Sequence, residues 1–219
     1  MIAANLLSHE FVPLRTSDTG NDALSIMSDF YIKHLPIVNN KQMLGLISED
    51  DILQNDVEEP VGSYPLSMTQ SYVGEHDHLY DVLRVLSEYQ LSVVPVIDKE
   101  NNYLGLITQG DLLRFFAQIG SFTEPGSIIV LEMSKQDYSL SEIARIVEGE
   151  NAAILSSFIT STLDSTKIDV TIKINRQELQ RILATFERFN YTIKASFQEI
   201  EYFDGLKERF DSLMSYLNV

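Results

Sequence analysis

Gly45-Leu46-Ile47-Ser48-Glu49-Asp50-Asp51 and Gly105-Leu106-Ile107-Thr108-Gln109-Gly110-Asp111 share one pattern: glycine, two apolar residues, a hydroxyl, two variable positions, an aspartate. Upstream of each stands an apolar-Pro-apolar run, Leu35-Pro36-Ile37 in the first copy and Val94-Pro95-Val96 in the second. Two copies of one local design, about sixty residues apart, are an internal repeat. Ahead of each proline run the apolar spacing is helical. Ala23, Ile26, Met27, Phe30 and Tyr31 form one face, and Val82, Val85, Leu86 and Tyr89 repeat it 59 positions later. The polar turn after the proline lengthens by one residue, from Asn39-Asn40-Lys41 to Asp98 through Asn102, so the glycines and aspartates stand 60 apart. An insertion confined to a hairpin tip is what a duplicated fold tolerates. Each copy therefore reads β-α-β-β-α.

Residues 1–57 form the first repeat and 58–120 the second, with Gln54 to Gln70 (Pro60, Gly62, Pro65) as a linker holding a brief ordered part. A short N-terminal helix and an extended segment, Phe11 to Leu14, open the chain. The Gly120-to-Gly126 stretch marks a boundary. Beyond it no third copy is found. Ile128 to Met133 reads as a buried strand. Ser139-Leu140-Ser141-Glu142 is a capping box opening a helix with Leu140, Ile143, Ala144 and Val147 inward. Two strands follow, over 153–162 and around Val170, Ile172 and Ile174. Asn175 with Glu178 caps a helix whose Leu179, Ile182, Leu183 and Phe186 face the core. Ile193, Ala195 and Phe197 alternate as a last strand. Residues 126–200 are thus β-α-β-β-α-β, the ferredoxin-like split unit. In 201–219, Phe203, Leu206, Phe210, Leu213 and Leu217 mark an amphipathic C-terminal helix, expected over Asp204 to Leu217 and packed on its own domain, with pairing to a partner subunit as the alternative. The fold class is α/β (α+β).

Sixteen basic against 32 acidic residues leave a net charge of −16, which argues against a nucleic-acid surface. Residues 1–120 carry −11 and 121–219 carry −5. Cysteine is absent, excluding disulfides and thiolate metal sites and fitting a reducing cytoplasm. No apolar run approaches the roughly 18 residues of a membrane span, and Met1 to Glu10 lacks the pattern of a secretory signal.

The repeated motif has a chemistry. Glycine at 45 or 105 removes the Cβ that would hinder close approach. Ser48 or Thr108 stands where a helix starts, beside free N–H groups and the positive end of its dipole, a site for phosphate. Asp51 or Asp111, one turn on, can accept both hydroxyls of a ribose. The two proline runs would border a flat base. Equally, Ser-x-x-Asp and Thr-x-x-Asp are near-capping boxes that can start a helix with no ligand present. The basic candidates for a phosphate are Arg15, Lys33, Arg84 and Arg114, helped by His34, His76 and His78. Arg114, three residues after Asp111, is the first choice.

On these residues, 1–120 resembles a tandem pair of CBS domains. The family's adenine-nucleotide motif (glycine, apolar, any, Ser/Thr, any, any, Asp/Asn) matches Gly45, Ser48, Asp51 and Gly105, Thr108, Asp111. The resemblance implies a pseudo-two-fold pair with two clefts, a homodimer, and an adenosyl ligand such as AMP, ADP or ATP, with Ser48 and Thr108 at phosphate and Asp51 and Asp111 at ribose; in so acidic a half, a helix end favours the modestly charged AMP over a triphosphate. Residues 126–200 resemble an ACT domain, for oligomerisation or a second metabolite, although Ser139 stands where that family has glycine. A CBS pair followed by ACT is the arrangement of acetoin utilisation protein-like regulators. The expectation is a cytoplasmic regulatory protein, not an enzyme, with no required cofactor and no metal site. The His76-Asp77-His78 stretch reads as a surface turn, because residues two apart share no helix face. An assembly module without ligand and a regulatory subunit of a separate catalytic partner are the alternatives.

Overall fold

The computed structural model describes residues 1–8, 11–66, 71–118, 123–161, 166–198 and Met214. The expected C-terminal helix, apart from Met214, and the part of the predicted boundary from Gly120 to Phe122 lie outside the described residues. The chain divides into two compact units, Met1–Phe116 and Ala117–Val219.

The first unit opens with a short 3-10 turn, Ala3–Leu6. Its first repeat holds α1 (Gly20–Phe30), β1 (His34–Asn39), β2 (Gln42–Ser48) and α2 (Glu49–Leu53). Its second holds β3 (Val73–Gly74), α3 (Leu79–Glu88), β4 (Val93–Ile97), β5 (Tyr103–Thr108) and α4 (Gln109–Gln118). Strand pairing carries the duplication. Leu14 bridges Ile37 in parallel, and Val73 pairs in parallel with Val96. Ile37 opposes Gly45 and Val96 opposes Gly105, with a bulge immediately beyond in both hairpins. The hairpin tips turn through left-handed residues, Asn40 (φ 56°) and Asn101 (φ 62°), which asparagine tolerates. The tips also pair with each other: Tyr103 donates its N–H to Lys41 O at 2.7 Å, and Met43 donates to Asn101 O at 3.2 Å.

Proline at 36 and 95 removes a ladder donor from each strand, yet both strands are central to the core. Leu35, Ile37, Val94 and Val96 lie in one apolar cluster with Ala23, Met27 and Leu46. Each helix stops one residue sooner than its spacing suggests, and the buried faces end at Met27 and Leu86: Phe30 and Tyr89, expected to face inward, are exposed. Tyr31 is 95% exposed, in the left-handed conformation that stops α1, and Gln90 does the same after α3. Between the repeats, Val61 and Tyr64 are buried, and the Tyr64 hydroxyl donates to Asp56 O at 2.6 Å.

The second unit runs β6 (Ser127–Ser134), α5 (Leu140–Gly149), β7 (Ile154–Thr160), β8 (Lys167–Ile174), α6 (Gln180–Arg188) and β9 (Thr192–Gln198). Its sheet order is β7-β8-β6-β9, with every pair antiparallel. That is the ferredoxin-like topology. Strict alternation on β6 and β8 sends Ile129, Leu131, Val170 and Ile172 to the core with Ile143, Val147, Ile182 and Phe186 of the helices.

Three details differ from the sequence reading. Leu140 is exposed, and Ile146 takes the buried position on α5. Asn175 does not cap α6; its Oδ1 accepts the Ala153 N–H at 2.7 Å, and α6 begins at Gln180 without a side-chain cap. Ile193 and Phe197 face opposite ways, because a bulge against Val130/Leu131 shifts the register of β9 between them.

Candidate functional site

Each β-strand that ends in a hydroxyl residue delivers it to the start of a helix. Ser48 closes β2 and caps α2: its Oγ accepts the Asp51 N–H at 3.0 Å, while Asp51 Oδ2 accepts the Ser48 N–H at 3.0 Å and Oγ–H at 2.7 Å. Thr108 and Asp111 reproduce these three bonds, in the same order, at 2.9, 3.1 and 2.7 Å. Both hydroxyl residues are buried. A backbone tie behind each corner is duplicated too. Glu49 N–H donates to Lys33 O at 2.9 Å, and Gln109 N–H donates to Ser92 O at 3.2 Å. The motif therefore builds two superposable corners, each a complete reciprocal cap.

Their electrostatics differ. The first turn of α2 carries Glu49, Asp50 and Asp51, and the helix is five residues long. That of α4 carries Asp111 alone, on a helix of ten residues. Arg114, where the first repeat has Gln54, places its guanidinium 2.9 Å from Asp111 Oδ1. An anion meets three carboxylates at the first corner, and one carboxylate with a cation at the second.

The other expected site residues serve the fold as well. Leu35, Pro36, Ile37, Val94, Pro95 and Val96 are buried strand residues. Gly45 is buried opposite Ile37. Gly105 has φ +152°, and a Cβ there would approach Leu7 Cδ2 to 3.1 Å, so its glycine lets the N-terminal segment close over the strand.

Among the cations, Arg84 pairs with Asp81 and Glu88 along α3. His78 caps α3, its Nδ1 accepting the Tyr80 N–H at 3.3 Å, and Asp77 accepts the Gly74 N–H at 2.7 Å. These residues hold a turn. No group of metal-ligating side chains is found among the described residues.

His34 was missed as a structural residue. It is buried beside the second repeat, where its Nδ1 accepts the Ser92 N–H at 3.2 Å and lies 3.1 Å from Ser92 Oγ. That Oγ accepts the Lys33 N–H at 2.8 Å. Burial lowers the His34 pKa from its ordinary 6.5; Asp51 and Asp50 oppose the shift and Lys33 adds to it. The signal was present: position 93, its counterpart 59 residues on, is valine, so the histidine breaks the repeat.

The Tyr103 hydroxyl is buried without a hydrogen-bond partner among the described residues, and burial pushes its pKa up. In the second unit a cavity of about 490 Å³ is lined by Glu132, Asp137, Glu142, Lys167 and Tyr191, among others. Burial, and then the charge and hydrogen bond of Glu142, raise the Tyr191 pKa.

The CBS domain family model matches residues 3–58 and 61–118, more than half of the chain. The chain belongs to the CBS-domain family. An uncharacterized protein of Methanocaldococcus jannaschii is 27% identical to the CBS pair's chain over 109 residues, 49% of this chain and 41% of that protein. The chain thus spans less than half the length of this relative. A CBS domain pair/ACT domain protein from Thermotoga maritima is 21% identical, over 54% of this chain and 98% of the other, with a TM-score of 0.49. CBSX2, solved in complex with AMP, is 21% identical, over 53% of this chain and 96% of the other, with a TM-score of 0.47. Among the described residues no helix is long and apolar enough to cross a membrane.

Proposed function

We propose that the CBS pair is the sensing part of a regulatory protein and binds an adenosyl nucleotide at its hydroxyl–aspartate corners. The observation that carries this is the second corner. There a buried Thr108 opens a ten-residue helix, Asp111 stands one turn inside, and Arg114 is held beside it. Helix-start N–H groups and a guanidinium suit a phosphate, and a carboxylate suits a ribose diol. The acidic first turn of α2 disfavours phosphate, so Ser48 and Asp51 suit the sugar of a less charged ligand. AMP is the nucleotide of choice, since one exposed arginine gives little to offset a triphosphate.

The ferredoxin-like unit acts as an ACT-like module, for assembly or for a second metabolite at the cavity beside Tyr191. The chain works as a homodimer in the cytoplasm, with regulation of a separate catalytic protein as its output. Catalysis is not its role. A second reading is favoured by the complete caps at both corners: the motif starts two helices and the protein is an assembly module. Thermal-shift and calorimetric titration with AMP, ADP, ATP and S-adenosylmethionine separate the two. The sensor reading requires saturable binding that Asp111→Asn weakens, whereas the assembly reading requires none.

A further inference from the structure

The His34 ring uses one of its two nitrogens to hold the fold. Nδ1 accepts the Ser92 N–H at 3.2 Å and lies 3.1 Å from Ser92 Oγ. That Oγ already accepts the Lys33 N–H at 2.8 Å, which leaves its own proton for Nδ1. With Nδ1 an acceptor, the neutral ring carries its proton on Nε2. Nε2 has no hydrogen-bond partner among the described residues, although His34 is only 8% exposed. A donor so deeply placed is costly to leave unmade.

Strand register puts this donor at the first corner. His34 opposes Ser48 across β1 and β2, so the imidazole stands beside the hydroxyl that caps α2. Asp51 is the charge that acts on the ring most strongly, followed by Lys33 and Asp50. The second repeat has no such donor: its matching pair is Val93 and Thr108, and Val93 is fully buried. The corners therefore differ in a neutral hydrogen-bond donor as well as in charge. A five-residue α2 with three carboxylates in its first turn offers an anion little, and Lys33 is exposed.

We infer that His34 is a ligand-binding residue of the first corner, its Nε2–H donating to a lone pair of an uncharged nucleoside, and that Ser92 is its positioning residue. This rests on the sensor reading above and divides the corners: nucleoside at the first, nucleotide at the second.

The test uses adenosine, which has no phosphate, and two variants that split the ring. Asparagine sets an amide oxygen where Nδ1 stands and keeps the Ser92 bond. Glutamine sets an amide nitrogen near Nε2 and keeps the donor. Adenosine is titrated calorimetrically into the Asp111→Asn chain, which weakens the second corner, and into that chain carrying His34→Asn or His34→Gln. Urea unfolding at pH 7.5 follows the stability of each. The two variants are expected in opposite orders: His34→Asn holds its stability yet binds adenosine roughly three- to tenfold more weakly, while His34→Gln loses stability yet binds within about twofold. In the otherwise wild-type chain, His34→Asn should change AMP affinity by less than about twofold. Undiminished adenosine binding by His34→Asn overturns the ligand role, as does affinity that falls in step with stability in both variants. AMP binding by the wild type without adenosine binding overturns the division of the corners. A wild type that takes neither defeats the sensor reading itself.

Discussion

His34 predicts how the stability of the CBS pair depends on pH. Its Nδ1 accepts from Ser92, so a proton at that atom would cost a hydrogen bond and set two donors face to face. Burial acts in the same direction, and the folded pKa lies below 6.5. Between the folded and unfolded pKa values the unfolded chain therefore holds more protons, and stability rises with pH. The contribution is complete above pH 6.5 and is lost as pH falls from there through the folded value. One proton gives a limiting slope of about 1.4 kcal/mol per pH unit, a few degrees in melting temperature for a domain of this size. Asp22 and Asp98, held low mainly by hydrogen bonds from Thr19 and Asn102, add acid sensitivity only below 3.8. The informative variant is His34→Asn, whose Oδ1 stands where Nδ1 does and accepts the same N–H without titrating. Urea unfolding at intervals from pH 7.5 to 5.0 should show the wild type weakening below 6.5 while His34→Asn stays nearly level. Equal losses in both proteins would refute the assignment.

At the second corner, Asp111→Asn keeps an acceptor for the Thr108 donors and should cost about 0.5–1 kcal/mol, against about 1–2 for Asp111→Ala, measured by denaturant titration. AMP affinity should fall further than stability does, at least roughly tenfold in either variant, because charge-assisted bonds to the ribose are lost. Tyr103→Phe removes a buried hydroxyl with no partner among the described residues, so thermal unfolding should show stability unchanged or slightly raised. Gly126→Ala would bring a Cβ to within 2.1 Å of Ile174 O; the second unit should lose more than about 2 kcal/mol, read as a lower urea midpoint.

Much of this architecture was legible because the repeat is written in residues with local physical meaning. Paired glycines, prolines and hydroxyl–aspartate caps located both hairpins and both helix starts, and the single insertion between Asp98 and Asn102 fell at a tip. Alternation in Val170, Ile172 and Ile174 identified a half-buried strand for the same reason. What escaped depends on partners distant in sequence. Tyr31 matches the helical spacing, but the chain must turn back toward β1 there, and it does so through a left-handed residue. Phe197 matches the period of Ile193, yet the bulge that separates their faces is set by pairing with β6. Asn175 looks like a cap in isolation and instead ties the end of β8 to Ala153. At the candidate site, the asymmetry between Gln54 and Arg114 was readable, while the engagement of Arg114 by Asp111 needed coordinates.

Calorimetric titration of the wild-type chain with AMP, alongside Asp51→Asn, Asp111→Asn and the double variant, tests the sensor claim most directly. The account predicts saturable binding to the wild type, a larger loss from Asp111→Asn than from Asp51→Asn, and none left in the double variant. Absence of binding by the folded wild type up to millimolar AMP, or undiminished binding by the double variant, would contradict it.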